Sequence, residues 1–112
     1  MSDDCIFCKI IAGDIPCSKV YEDDHVLAFN DINPKARIHV LVVPKTCFDR
    51  LHEAGDTHVG MLGRILVGVG RVAETTGITG SGYRVQFNQG RGAGQEVFHL
   101  HAHVTGGGSV PT

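Results

Sequence analysis

Three of the seven histidines in this 112-residue chain, His99, His101 and His103, alternate with Leu100 and Ala102 near its end. Alternation at period two predicts a strand from His99 to Thr105 with two unlike faces. The three imidazoles share one face, and Phe98, Leu100, Ala102 and Val104 share the other, which reads as core. At a rise of ~3.3 Å per residue, rings in such a row stand ~6.6 Å apart. A single histidine backed by apolar residues is usually a satisfied core residue. Three in a row are costly to pack unless they have a hydrogen-bonding, metal or phosphate task. A neutral imidazole, with an ordinary pKa of about 6.5, is a competent nucleophile near pH 7. His101, flanked on both sides, is the member best placed to attack phosphorus.

Directly upstream runs the glycine-rich stretch Asn88–Val97. Alone it reads as an ordinary turn between antiparallel strands. Leading into three histidines, it can offer backbone N–H groups around Gly94, Gln95, Glu96 and Val97 to an anion above the row. At the other end of the chain, Cys5 and Cys8 form a single C-x-x-C. That spacing fits a redox pair, half a zinc site or two small packing residues, with no thioredoxin-like context to favour the first.

The elements that must position these groups follow from periodicity. Cys5–Ala12 can make two helical turns, ended by Gly13, Asp14 and Pro16. Val20–Asn30 reads as a hairpin turning at Glu22-Asp23-Asp24, followed by a loop through Pro34. His39–Val43 is β-branched and apolar, hence a central strand, with His39 at its start. Asp56–Thr76 is the one long helix, with Val59, Leu62, Ile65, Leu66, Val69, Val72 and Ala73 at helical spacing and Gly77 as its stop. Four glycines inside it (Gly60, Gly63, Gly68, Gly70) suggest close approach of another backbone, such as a partner subunit, or else a poorly specified helix. Tyr83–Asn88 and the histidine row supply the last two strands, and Gly106–Thr112 reads as a loose tail. The expected fold is α+β: a five-stranded antiparallel sheet with one short and one long helix, in a single domain over 1–112 ordered from about residue 5 to 105.

Composition narrows the function classes. Hydrophobic residues make up 42% and charged ones 20%, ordinary for a globular domain. A net charge of −2 with no Lys/Arg cluster argues against nucleic acid as a partner. No apolar run approaches the ~20 residues that span a bilayer, so no membrane role is expected. The start, Met1-Ser2-Asp3-Asp4, is acidic and precedes no signal-peptide core, which points to a reducing cytoplasm for the four cysteines.

The run Gly94–Val104 resembles the His-x-His-x-His signature of the histidine triad (HIT) family of nucleotide hydrolases and transferases. Cys5–Ile11, Phe29–Pro34, His39–Lys45 and Gly82–Arg84 agree with it in order and spacing. The short length and Gly106-Gly107 resemble the HINT-type branch. This resemblance implies a homodimer that hydrolyses purine nucleoside 5′-monophosphoramidates (AMP or GMP conjugates) through a nucleotidyl intermediate on His101. His99, His103 and His39 would support it, and no catalytic metal is expected. The nucleoside would lie against Ile6, Phe7, Ile10, Phe29 and Ile32, with Asp31 on the ribose hydroxyls. Asn88 and Gln95 would meet the phosphate or leaving group. Each apolar residue could equally be core, and Asp31 could simply cap its loop through Asn33. Glu96 stands where that branch usually has serine, and leaving-group preference depends on it. Other readings are hydrolysis of dinucleoside polyphosphates, whose branch tends to carry Gln in place of Asn88, and a nucleotide- or zinc-binding regulatory module with little turnover. Some bacterial members of the family hold a structural zinc. The matching positions here are Cys5, Cys8, His99 and Cys47, the last in place of a histidine, giving a Cys₃His set with Cys17 left as a free thiol.

Overall fold

In the computed structural model, residues 5–108 are described. The elements run α1 (Ile6–Ile11), β1 (Lys19–Glu22), β2 (Val26–Asn30), β3 (Ile38–Pro44), α2 (Val59–Thr76), β4 (Tyr83–Gln86) and β5 (Ala102–Gly106), with short 3-10 turns at Leu51–Glu53, Asp56–His58 and Arg91–Ala93. All five strands join one antiparallel sheet in the order β1-β2-β3-β5-β4. The expected α+β architecture with one short and one long helix is therefore observed.

Strand parity divides the sheet into two cores. Val26 and Ala28 of β2, Val40 and Val42 of β3, and Ala102 and Val104 of β5 face α2, which covers them with Ile65, Val69, Val72 and Ala73. Helix and sheet touch closely at Gly68, where a Cβ would come within 3.0 Å of a Val26 methyl and 3.2 Å of one on Val42. Gly60, Gly63 and Gly70 would meet nothing within 4 Å. The opposite sheet face carries Leu27, Phe29, Leu41 and Val43, covered by Phe7, Ile10 and Ile11 of the short α1 and by Cys5 and Val97. The histidines lie on this thinly covered face.

Several sequence expectations change. The histidine row is not a strand throughout, since β5 begins at Ala102. The β3–β5 register would set Pro44 opposite Leu100, and proline has no N–H to continue the ladder. The Leu100 N–H instead donates to the Phe48 carbonyl at 2.6 Å. Phe98, beyond the end of the ladder, is no longer carried into the core. It is 36% exposed, and the guanidiniums of Arg50 and Arg91 lie 5.5 and 5.1 Å from its ring centre. The long helix starts at Val59 after the 3-10 turn, and Gly77, left-handed at φ 75°, ends it. Val59 and Leu66 leave its buried stripe and are 64% and 58% exposed. Finally, β4 stops at Gln86, and Gly106 belongs to β5 rather than to a tail. Residues 109–112 of the expected tail lie outside the described residues. No helix among the described residues is long and apolar enough to cross a membrane.

Candidate active site

Main-chain groups fix the protons of His39, His99 and His101, and His39 fixes that of His103. The Lys35 N–H donates to His39 Nδ1 at 3.0 Å, so the proton of neutral His39 sits on Nε2. That nitrogen lies 3.0 Å from His103 Nδ1 and donates to it, which leaves the His103 proton on Nε2. Asp31 Oδ2 also lies 3.5 Å from His39 Nε2. The two histidines meet because β3 and β5 pair His39 with Thr105 and Leu41 with His103, making them diagonal neighbours on one face.

His101 is oriented the opposite way. Its Nδ1–H donates to the His99 carbonyl at 2.7 Å, so Nε2 keeps its lone pair. The edge of Phe7 meets the ring at a centroid distance of 5.0 Å and 90°, and the His103 ring stands 4.9 Å away. His99, fully buried, donates from Nε2 to the Pro44 carbonyl at 2.9 Å, which turns its Nδ1 lone pair towards the cysteines. Burial lowers the pKa of all four rings. For His103, burial and the neighbouring His101 and His39 bring it to about 4. The row is neutral at pH 7, with a lone pair on His101 beside an N–H donor on His103.

Cys5 caps α1, its sulfur accepting from the Cys8 N–H. The sulfurs of Cys5 and Cys8 lie 3.4 and 3.5 Å from His99 Nδ1. These three residues form one metal-capable cluster, and Asp31, His39 and His103 form another. Burial, with the thiols of Cys5 and Cys47 beside it, pushes the Cys8 thiol up to about 12. Two sulfurs facing an imidazole lone pair whose other nitrogen is held by a carbonyl suit a thiophilic cation. Cys47 approaches Cys8 but lies outside the tight three-residue cluster. All four cysteines are free thiols, and Cys17 and Cys47 are exposed.

Within the glycine-rich loop, the N–H groups of Ala93, Gly94 and Gln95 are spent on the Gly90 and Arg91 carbonyls. Those of Glu96, Val97, Phe98 and His99 take no partner among the described residues, and free amides leading into the row, Glu96 and Val97 first, can receive an anion. The Gln95 side chain is buried and turned inwards, donating to Asp49 Oδ1 and the Val97 carbonyl and accepting from the Gly90 N–H. Asn88 accepts from Gln86, and Glu96 is exposed. Asp31 does cap its loop through the Asn33 N–H at 2.8 Å, while its second oxygen faces His39. Phe7 and Phe29 are packed edge to face, Ile10 is half-buried and Ile6 is 44% exposed. Ile32, 92% exposed, stands free at the rim. The residue types gave no signal for Lys35, Pro44 and Phe48, which act through main-chain atoms, or for Asp49.

The five-stranded sheet that carries this neutral histidine row is the fold of the histidine triad hydrolases. The HIT domain model matches residues 12–110. The chain belongs to the HIT domain family and is a hydrolase of that family. It is 47% identical to Protein HitA of Neisseria gonorrhoeae over 104 residues, covering 93% of this chain and 96% of that protein. It is 41% identical to the purine nucleoside phosphoramidase of Escherichia coli over 107 residues, covering 96% and 90% respectively. Among solved structures, a histidine triad protein from Clostridium difficile superposes with a TM-score of 0.93 at 47% identity, covering 100% of this chain and 97% of that one. A HIT family hydrolase from Clostridium thermocellum gives 0.94 at 41% identity, with the same coverage.

Proposed function

We propose that the protein hydrolyses purine nucleoside 5′-monophosphoramidates through a nucleotidyl intermediate on His101. The observation that carries this reading is the opposed pair of tautomers, a lone pair on His101 Nε2 beside an N–H on His103 Nε2. His101 Nε2 attacks phosphorus and the P–N bond to the leaving amine breaks. The departing nitrogen leaves as the amine with a proton taken from solvent, while the His103 Nε2–H donates a hydrogen bond to the phosphoryl group. Water then attacks phosphorus, the P–Nε2 bond breaks, and the proton from water is released to solvent. The Glu96 and Val97 amides stabilise the charge that grows on the phosphoryl oxygens. The nucleoside rests against Phe7, Phe29, Ile10, Ile6 and Ile32, with Asp31 accepting from the ribose hydroxyls.

Cys5, Cys8, His99 and Cys47 would hold a structural zinc. Its contribution would be to tie α1, the segment after β3 and the histidine row together, since four protein ligands leave no open position. Two copies would pair through the outward face of α2, where Val59, Leu66 and Val67 are 64%, 58% and 53% exposed, and the free edge of β4, with Tyr83 and Val85 also exposed. Four free thiols fit a reducing cytoplasm. Adenosine and guanosine phosphoramidates, assayed beside diadenosine polyphosphates, test the substrate class. Preference for the phosphoramidates supports it, and faster turnover of the polyphosphates contradicts it.

A further inference from the structure

The nucleophile lies on His99–His101, which the sheet ladder does not hold. Two hydrogen bonds hold it instead, His99 Nε2–H to the carbonyl of Pro44 at the end of β3 at 2.9 Å and Leu100 N–H to the carbonyl of Phe48, in the strap that follows β3, at 2.6 Å. The same strap grips the anion loop. Gln89 accepts from the Leu51 N–H at 2.7 Å and donates to the Asp49 carbonyl at 3.1 Å. Gln95, only 4% exposed, donates to Asp49 Oδ1 at 2.7 Å and to the Val97 carbonyl at 3.1 Å, and accepts from the Gly90 N–H at 2.7 Å. Both Gln95 donor hydrogens are thereby used within the protein. The second Asp49 oxygen is fixed by Arg50 Nε at 3.1 Å.

We propose that Asp49 is a positioning residue which, through Gln95, locks the Glu96 and Val97 amides over His101. Gln95 spans the loop from Gly90 to Val97, so its orientation sets the peptide planes between them, and Asp49 is the one side-chain acceptor that orients it. Loop and nucleophile are thus referenced to a single strap. Aimed donors lose most of their value when displaced by about 1 Å, so a short charge-assisted hydrogen bond remote from the phosphate can govern transfer. Gln95 therefore acts on the phosphate through the backbone rather than by contact. The catalytic part of this inference rests on the proposed phosphoramidate hydrolysis, whereas the phosphate-holding part does not.

The test uses the intact protein with two readouts, kcat/KM for adenosine 5′-phosphoramidate and the affinity for AMP relative to adenosine. Asp49→Ala should lower kcat/KM by roughly ten- to a hundredfold and erode the preference for AMP in parallel, with adenosine affinity unchanged. Asp49→Asn, which keeps the acceptor oxygen, should stay within about threefold of the parent on both. Gln95→Met keeps the buried bulk and should reproduce Asp49→Ala, and it carries the test alone if that variant does not fold. The double variant should be no worse than the worse single one, because the two side chains act as a unit. An unchanged AMP preference in Asp49→Ala and Gln95→Met, equal loss in Asp49→Asn, or multiplied losses in the double variant would overturn the proposal. A parent protein that turns over no phosphoramidate yet prefers AMP through Asp49 would sink the functional reading and leave this one standing.

Discussion

His101 Nδ1 lies 2.7 Å from the carbonyl oxygen of His99, and that contact decides which nitrogen of His101 keeps its lone pair. A carbonyl only accepts, so Nδ1 bears the proton and Nε2 the lone pair. The partner decision is made by the Lys35 amide, 3.0 Å from His39 Nδ1, which is relayed across the His39–His103 contact. Both tautomers trace to backbone atoms, directly for His101 and through the His39 side chain for His103.

The relay gives the first prediction. His39→Ala frees His103 to take either tautomer and should lower kcat by about tenfold, with KM for the nucleotide little changed. His39→Gln can still donate to His103 Nδ1 and should recover most of the loss. Steady-state kinetics on both variants checks this, and equal loss in the two would assign His39 a packing role only.

Asp31 divides its carboxylate between the Asn33 amide and the space beside His39. Asp31→Ala should raise KM for ribonucleotide substrates by about five- to tenfold and narrow the gap to 2′-deoxy analogues. A variant that discriminates ribose from deoxyribose as well as the parent does would make Asp31 a loop residue.

Much of this arrangement is legible in the sequence, for identifiable reasons. Val40 and Val42 against His39 and Leu41, and Ala102 and Val104 against His103, alternate because one face meets α2 and the other the site. What alternation cannot convey is where a ladder ends. His99–His101 continue the period but leave the sheet, because the residue facing them in register is Pro44, and Phe98 leaves the core with them. The family resemblance implied a place at the phosphate or leaving group for Gln95. Its burial against Asp49 depends on a contact between residues 46 apart, which no local pattern records. Among the helix glycines Gly68 alone meets a close neighbour within the chain, and it meets the side chains of Val26 and Val42 rather than a backbone.

The thiol cluster predicts bound metal. Protein purified without chelator should carry close to one zinc per chain by elemental analysis, a stoichiometry set by one four-donor site. Replacing Cys5 and Cys8 together with serine should remove it and lower the melting temperature by several degrees, about what a loss of 1–2 kcal/mol produces in a domain of this size. Metal-free protein whose stability is indifferent to that change would mean that the cysteines only pack.

Stability should depend on pH through the buried neutral rings. His103 has a folded pKa of about 4, against about 6.5 unfolded, and burial moves His39 the same way. Between those values the unfolded chain binds more protons. The contribution is therefore full above about pH 6.5 and lost as pH falls towards 4, by up to about 1.4 kcal/mol per pH unit for each proton taken up. Denaturant midpoints should decline across that window, and less steeply in His103→Asn. A parallel decline in that variant would place the titrating group elsewhere.

The most direct test of the whole account is capture of the intermediate. Protein mixed with an adenosine phosphoramidate, quenched during turnover under conditions that preserve phosphorus–nitrogen bonds and analysed by mass spectrometry, should carry one adenylyl group on the peptide containing His101. His101→Ala should carry none and lose at least about a hundredfold in kcat, while keeping the fold and AMP binding. Turnover in His101→Ala within about tenfold of the parent, or an adenylyl group on another residue, would contradict it.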